Sequence, residues 1–227
     1  MTVYNAEICY ASGNQVSLRS GVAVVIGIYI LSSRFTTVNA SPIPSEVRKE
    51  DVVELLHDHE FFLLCDPHHT SHKTLPQPSE TEKDPTSVAA ARKHFKLPDT
   101  LEPLLSTKTH QGPGPVVKIY EVVDELPNPV WSSNVVSREE FVDHSEGMWV
   151  RIHSPMGVVM DTHWSVRDDK KGGLELVEDI IINCSRLVMG LVKAQVDNNW
   201  PGIHKLLIGK LVKDAEARAA GAAAPAK

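Results

Sequence analysis

Cysteine is scarce in this chain of 227 residues: only Cys9, Cys65 and Cys184 occur, scattered and without a CxxC pair. That excludes a disulfide scaffold and a thiolate metal centre, and it reads as three reduced thiols in a cytoplasmic protein. An excess of positive charge is also lacking. Lys plus Arg is 23 against 29 for Asp plus Glu, a net charge of −6. Without a basic face to neutralise phosphates, no nucleic-acid partner is expected. Long apolar runs are missing too. The most apolar one, Gly21 to Leu31, falls well short of the ~20 residues that cross a bilayer as a helix, so no stable membrane span is expected. What is present, 42% hydrophobic and 23% charged residues, is the balance of a globular chain, which excludes a wholly disordered or collagen-like one.

The length suits one domain of roughly 150 residues with extensions. Residues 1–33 read as an N-terminal extension. Within it, GVAVVIGIYIL at 21–31 has the length of a signal-peptide core, and Val38-Asn39-Ala40 loosely fits a cleavage site. The preceding segment is barely basic and the run is β-branched, which suits a buried strand. Secretion is therefore the alternative to a cytoplasmic location. From Arg34 the pattern is that of a fold. Phe35–Val38 reads as a strand, and Ser45 as the N-cap of a helix over 46–57. A second short helix over 58–65 ends at Asp66-Pro67, since the residue before proline disfavours the α region. A strand follows at 69–75.

Ten of the fifteen prolines lie between Pro67 and Pro129. Residues 76–114 read as a surface insertion with one helix at 87–96 and little capacity for burial. Strands follow at 116–123, 130–141, 148–153, 158–167 and 174–184, separated by tight turns, which is the pattern of an antiparallel meander. In the fourth, Val158, Met160, Thr162, Trp164 and Val166 share one face, while Asp161, His163 and Arg167 share the other. The apolar period then becomes helical over 187–214, with a kink expected at Pro201-Gly202. Eight alanines between Ala215 and Lys227 read as a disordered tail.

A strand, two short helices, a run of antiparallel strands and one long helix imply an α+β fold: a curved antiparallel sheet wrapped around the C-terminal helix. A gap between them would form a pocket for an apolar or amphipathic small molecule. This order resembles the START-like helix-grip superfamily, which includes birch-pollen-allergen proteins, lipid-transfer domains and aromatic polyketide cyclases. The resemblance covers residues 34–214, with 76–114 as an insertion. More narrowly, Asp58-His59-Glu60 through Asp66-Pro67, Tyr120 to Asp124, and Leu174 to Asp179 leading into Cys184-Ser185-Arg186-Leu187 resemble a fungal domain-of-unknown-function family of this type. The resemblance implies a cavity between sheet and helix and leaves the ligand open; the aliphatic faces point to a lipid, sterol or polyketide-like compound. Carriage is the first reading and a cyclase, isomerase or dehydratase the alternative.

Val150, Ile152, Met160, Thr162, Trp164, Ile180, Ile182 and Leu191 are the expected ligand-binding residues. Glu178, among apolar neighbours on the last strand, is the candidate acid–base residue, because burial raises a carboxyl pKa toward neutrality. The ordinary alternative is an ion pair with Lys118 or Arg167 on a solvated face. His57, His59, His68, His69 and His72 cluster with Asp58, Glu60 and Asp66 but lack metal-ligand spacing, so they read as surface or structural histidines and no metal is expected. His153 and His163 fall on the face with Trp149 and Arg151, read as the solvent side. Trp131, after Pro129 near a strand start, reads equally as a rim or core anchor and as a ligand contact. Gly112-Pro113-Gly114 lacks the helix and lysine of a phosphate cradle, and no cofactor is expected. Asn39 and Asn183 match glycosylation acceptors, relevant only to a secreted chain. Nothing in the residues assigns an oligomeric state.

Overall fold

The computed structural model describes residues 5–7, 32–76, 88–101, 103–104, 117–126 and 133–222. The run 21–31, Trp131, Cys9 and Gly112 to Gly114 lie outside the described residues. Among the described residues, eight strands and four α-helices follow in chain order, with a 3-10 turn at Pro155–Gly157. These are β1 (Asn5–Glu7), β2 (Ser32–Ile43), α1 (Lys49–Leu56), α2 (His59–Leu63), β3 (His69–Thr74), α3 (Val88–Phe95), β4 (Lys118–Leu126), β5 (Ser133–His144), β6 (Gly147–Ser154), β7 (Val158–Asp168), β8 (Leu174–Ser185) and α4 (Arg186–Ala222). All strand pairs are antiparallel, in the order β1-β2-β8-β7-β6-β5-β4-β3. β3 to β8 run as a meander, and β2 closes on β8 across the length of the chain.

The predicted alternation is kept. Met160, Thr162, Trp164 and Val166 face the inner side with Leu176, Glu178, Ile180 and Ile182, and α4 covers them. Two apolar clusters hold this layer. One joins α1, α2 and the second half of α4 (Leu207, Leu211) to Phe141, Met148, Trp164 and Leu176. The other joins the start of α4 (Val188) to Phe35, Val158, Ile180 and Ile182. Full burial of each such side chain contributes ~1.5–3 kcal/mol.

Several local expectations change. β2 continues to Ile43, with Pro42 inside it opposite Glu175. α1 starts at Lys49 instead of 46, behind Arg48 and not behind Ser45; the Asp51 carboxylate accepts from both the Arg48 backbone N–H and its guanidinium. Asp58 caps α2 by accepting from the Phe61 N–H. α4 is assigned without a break at Pro201 and runs to Ala222, eight residues past the expected end; Ala215 is buried, and Arg218 reaches Asp51 at 2.8 Å. The segment expected to bury little buries Ala91, Phe95 and Leu97 against Val117, Ile119 and Val142, so α3 covers part of the outer sheet face. That corrects the reading of this face as solvent. There Trp149 stacks on His163 (4.4 Å, 8°), and Arg151 forms a two-point ion pair with Asp161. Glu140, fully buried, is held by Arg138, His94 and His153. Burial works to raise its pKa, yet these partners hold it down at about 2. Asn183 is exposed on β8.

One glycine is fixed by contact. A Cβ on Gly147 would stand 2.0 Å from the Trp164 carbonyl oxygen, and its φ is +154°. Gly147 thereby lets β6 start directly against β7.

Candidate functional site

Between the sheet and the N-terminal half of α4, the interior is open. A cavity of about 280 Å³ is bounded by β4–β8, the Pro155–Gly157 turn and one face of α4. A second space of about 100 Å³ lies deeper, toward α2, and shares Asp66, Asp124, Glu139, Ile152, Met160, Glu178 and Ile203 with the first. Together they fall at the lower end of the ~300–1,000 Å³ of small-molecule sites. Val188, Leu191, Val192, Val196, Trp200 and Ile203 recur at helical spacing on α4 and form the lid side. Met156, 74% exposed, and Leu191, 61% exposed, stand at the wide end as an apolar rim.

Of the expected ligand-binding residues, Ile152 and Met160 border both spaces. Val150, Thr162 and Trp164 border the inner one, Ile180 and Leu191 the outer. Ile182 borders neither; it is packed with Phe35, Cys184 and Val188. Glu178 borders both. It does not pair with Lys118 or Arg167, which stand at Asp143 (3.6 Å) and Asp179 (3.9 Å). Instead it accepts a hydrogen bond from the Asn39 amide at 3.2 Å. His204 of α4 faces it, with Nε2 4.0 Å from Oε2 and Nδ1 2.9 Å from the Ser41 hydroxyl. Burial pushes the Glu178 carboxyl up to about 7, which the Asn39 hydrogen bond only partly offsets. Burial also lowers His204 to about 4, so this imidazole is neutral. A carboxyl poised near neutrality in an apolar pocket can give or take a proton.

Three acids escaped the sequence reading. Asp66 follows α2, Asp124 lies on β4 and Glu139 on β5, and all three border both spaces. Glu139 accepts from the Ser137 hydroxyl at 3.1 Å. Burial raises it to about 8, and Asp124 beside it adds to the rise. Burial and the Asp66 charge raise Asp124 to about 6. Asp124 Oδ1 is buried without a hydrogen bond; His69 Nδ1, also unbonded, stands 4.0 Å away. Strand parity separates Ser137, Glu139 and Phe141 from Glu140 and Val142, but it does not tell which set faces inward.

The histidine-rich segment serves structure. His59 Nε2 bonds Asp143 at 2.7 Å and its other nitrogen faces the Tyr120 hydroxyl, which ties α2 to the sheet. His57 donates to the Gly147 carbonyl at 2.9 Å. His72 bridges His69 and Glu60. Among the described residues, the grouping whose donors approach closely enough to share an ion is His94, Glu140 and His153 on the outer face.

This sheet, closed by one long helix over an internal cavity, is the START-like, birch-pollen-allergen-like helix-grip fold. The chain belongs to the domain-of-unknown-function family DUF7053, whose model matches residues 32–216. Comparison with curated proteins finds no match. Among solved structures it is similar to the di-domain ARO/CYC StfQ from the steffimycin biosynthetic pathway, at 9% identity and a TM-score of 0.52, over 81% of this chain and 52% of that one. This chain thus spans about half the length of StfQ. It is also similar to the Zhui aromatase/cyclase from Streptomyces sp. R1128 (10% identity, TM-score 0.45, 86% of this chain and 99% of that one). A third is human STARD10 (11% identity, TM-score 0.45, 94% of this chain and 75% of that one). No described helix is long and apolar enough to cross a membrane.

Proposed function

We propose that the protein binds and carries an amphipathic small molecule of lipid, sterol or polyketide-like character in the cavity between sheet and α4. The observation that supports it most is the cavity wall itself: mainly aliphatic side chains from five strands and α4, with a few polar groups converging on it. The free, buried thiols of Cys65 and Cys184 support a cytoplasmic setting. Native mass spectrometry of the purified chain tests the reading, with an apolar fluorescent probe titrated in parallel. A bound compound and a saturable probe signal are expected, both lost in Ile203→Trp, which fills the shared wall. Absence of both in the parent protein refutes the proposal.

A second reading has one observation behind it. Glu178, held near neutrality opposite His204, is placed for proton transfer in a cyclisation, isomerisation or dehydration. The StfQ likeness, whose name carries ARO/CYC, is compatible with it. If the bound compound is converted during incubation, Glu178→Gln should reduce turnover by ~10²-fold or more while leaving binding intact. Unchanged turnover excludes Glu178.

A further inference from the structure

The cavity calls for a ligand, and its ionisable groups restrict which kind. Asp66, Asp124, Glu139 and Glu178 border it, and among the described residues neither space has a Lys, Arg or His in its wall. We propose that the ligand is an amphipathic cation, with a protonated amine seated among Asp66, Asp124 and Glu139 and an apolar body extending along α4; this rests on the cavity being a binding site.

The surroundings of the three acids support this. Glu139 is 92% buried by its 8% exposure and receives one hydrogen bond, from Ser137. Asp124 Oδ1 has none, and the imidazole nearest it, His69, is turned toward the neutral form by burial. His68, just before β3, also lies outside the wall. The basic side chains of β4 and β5 are engaged elsewhere, Lys118 with Asp143 and Arg138 with Glu140 on the outer face. With no cationic side chain among the described residues of the wall, burial and their mutual proximity hold Asp124 and Glu139 toward their protonated forms, and a cation seated there would let them ionise. An ammonium group brings three N–H donors and the missing charge, making charge-assisted hydrogen bonds in a water-poor site. A carboxylate or phosphate headgroup would add like charge there. A bare metal ion fits less well, because among the described residues these oxygens do not converge into a three-donor set.

Decylamine, decanol and decanoate share a chain length and differ in head charge. They are titrated into the full chain below their micelle concentrations, by calorimetry, alongside Glu139→Gln, Asp124→Asn and Ile203→Trp. Decylamine is expected to bind at least roughly tenfold more tightly than decanol, and decanoate weakest of the three. Glu139→Gln and Asp124→Asn should bring decylamine down to the decanol level and leave decanol unchanged, which also shows that both variants keep the cavity. Equal binding of all three, or preference for decanoate, with every signal lost in Ile203→Trp, overturns the cationic assignment and leaves the cavity reading standing. Decylamine binding that survives Ile203→Trp is surface attraction to an acidic protein and overturns the assignment. No binding of any probe sinks the cavity reading and this inference with it.

Discussion

Glu139 and Glu178 are raised by burial to about 8 and about 7, above the ordinary carboxylate range, so the folded state holds protons that the unfolded chain gives up. Their favourable contribution is complete below the unfolded value near 4.5, and it is lost as pH rises through about 7 to 8. The ligand-free protein should therefore weaken over that window. Glu139→Gln removes the larger part. At about pH 9 the variant should exceed the parent by ~2 kcal/mol, and at about pH 5 the two should melt together. Thermal denaturation at both values checks it; an equal difference at both would remove Glu139 as the cause. Glu178 was legible in the sequence because Leu176, Ile180 and Ile182 surround it at a period of two. Glu139 was not. Its neighbour Glu140 has the same chemistry, and only the register of β5 shows which of them faces inward. One enters the cavity wall as an acid turned toward its protonated form; the other is an ionised anchor for α3 on the outer face.

At the scale of elements, alternation, capping and proline placed β3 to β8 and α1 to α3 to within a few residues; β1, inside the expected N-terminal extension, was missed, and β2 and α4 run beyond their expected ends. The misses share a cause. Terminal residues take their conformation from partners distant in sequence: Pro42 stays in β2 because β8 continues beside it, and α4 persists past Asp214 because Ala215 is buried and Arg218 meets Asp51 of α1. Deleting 215–227 should lower the urea midpoint by an amount equivalent to ~1 kcal/mol, since one small side chain and one partly exposed ion pair are lost. An unchanged midpoint would mean that the last turns of α4 add nothing. The start of β6 is less tolerant. Gly147→Ala drives a methyl into the Trp164 carbonyl, and a loss of ~3 kcal/mol is expected in denaturant unfolding. A variant as stable as the parent would show that the two strands can separate there at little cost.

For the whole molecule, an open space under α4 and an already packed interior make opposite predictions for Ile203→Trp. Filling an empty space with a larger apolar ring should stabilise the ligand-free protein, by about 1 kcal/mol, while abolishing uptake of any apolar probe. If the variant is strongly destabilised, the interior is already packed and the cavity has no room for a ligand. Scanning calorimetry with and without the probe separates these outcomes. By itself, the sequence determined the α+β class, the order of the elements, the inner face of β7 and β8 and the apolar stripe of α4. Each of these is carried by a local period of 2 or 3.6 residues. Tertiary structure alone decided that α3 covers the outer face and that Asp66, Asp124, Glu139 and Glu178 meet around one cavity. Those four acids come from a loop and three strands, and only strand register and the seat of α4 bring together positions so far apart along the chain.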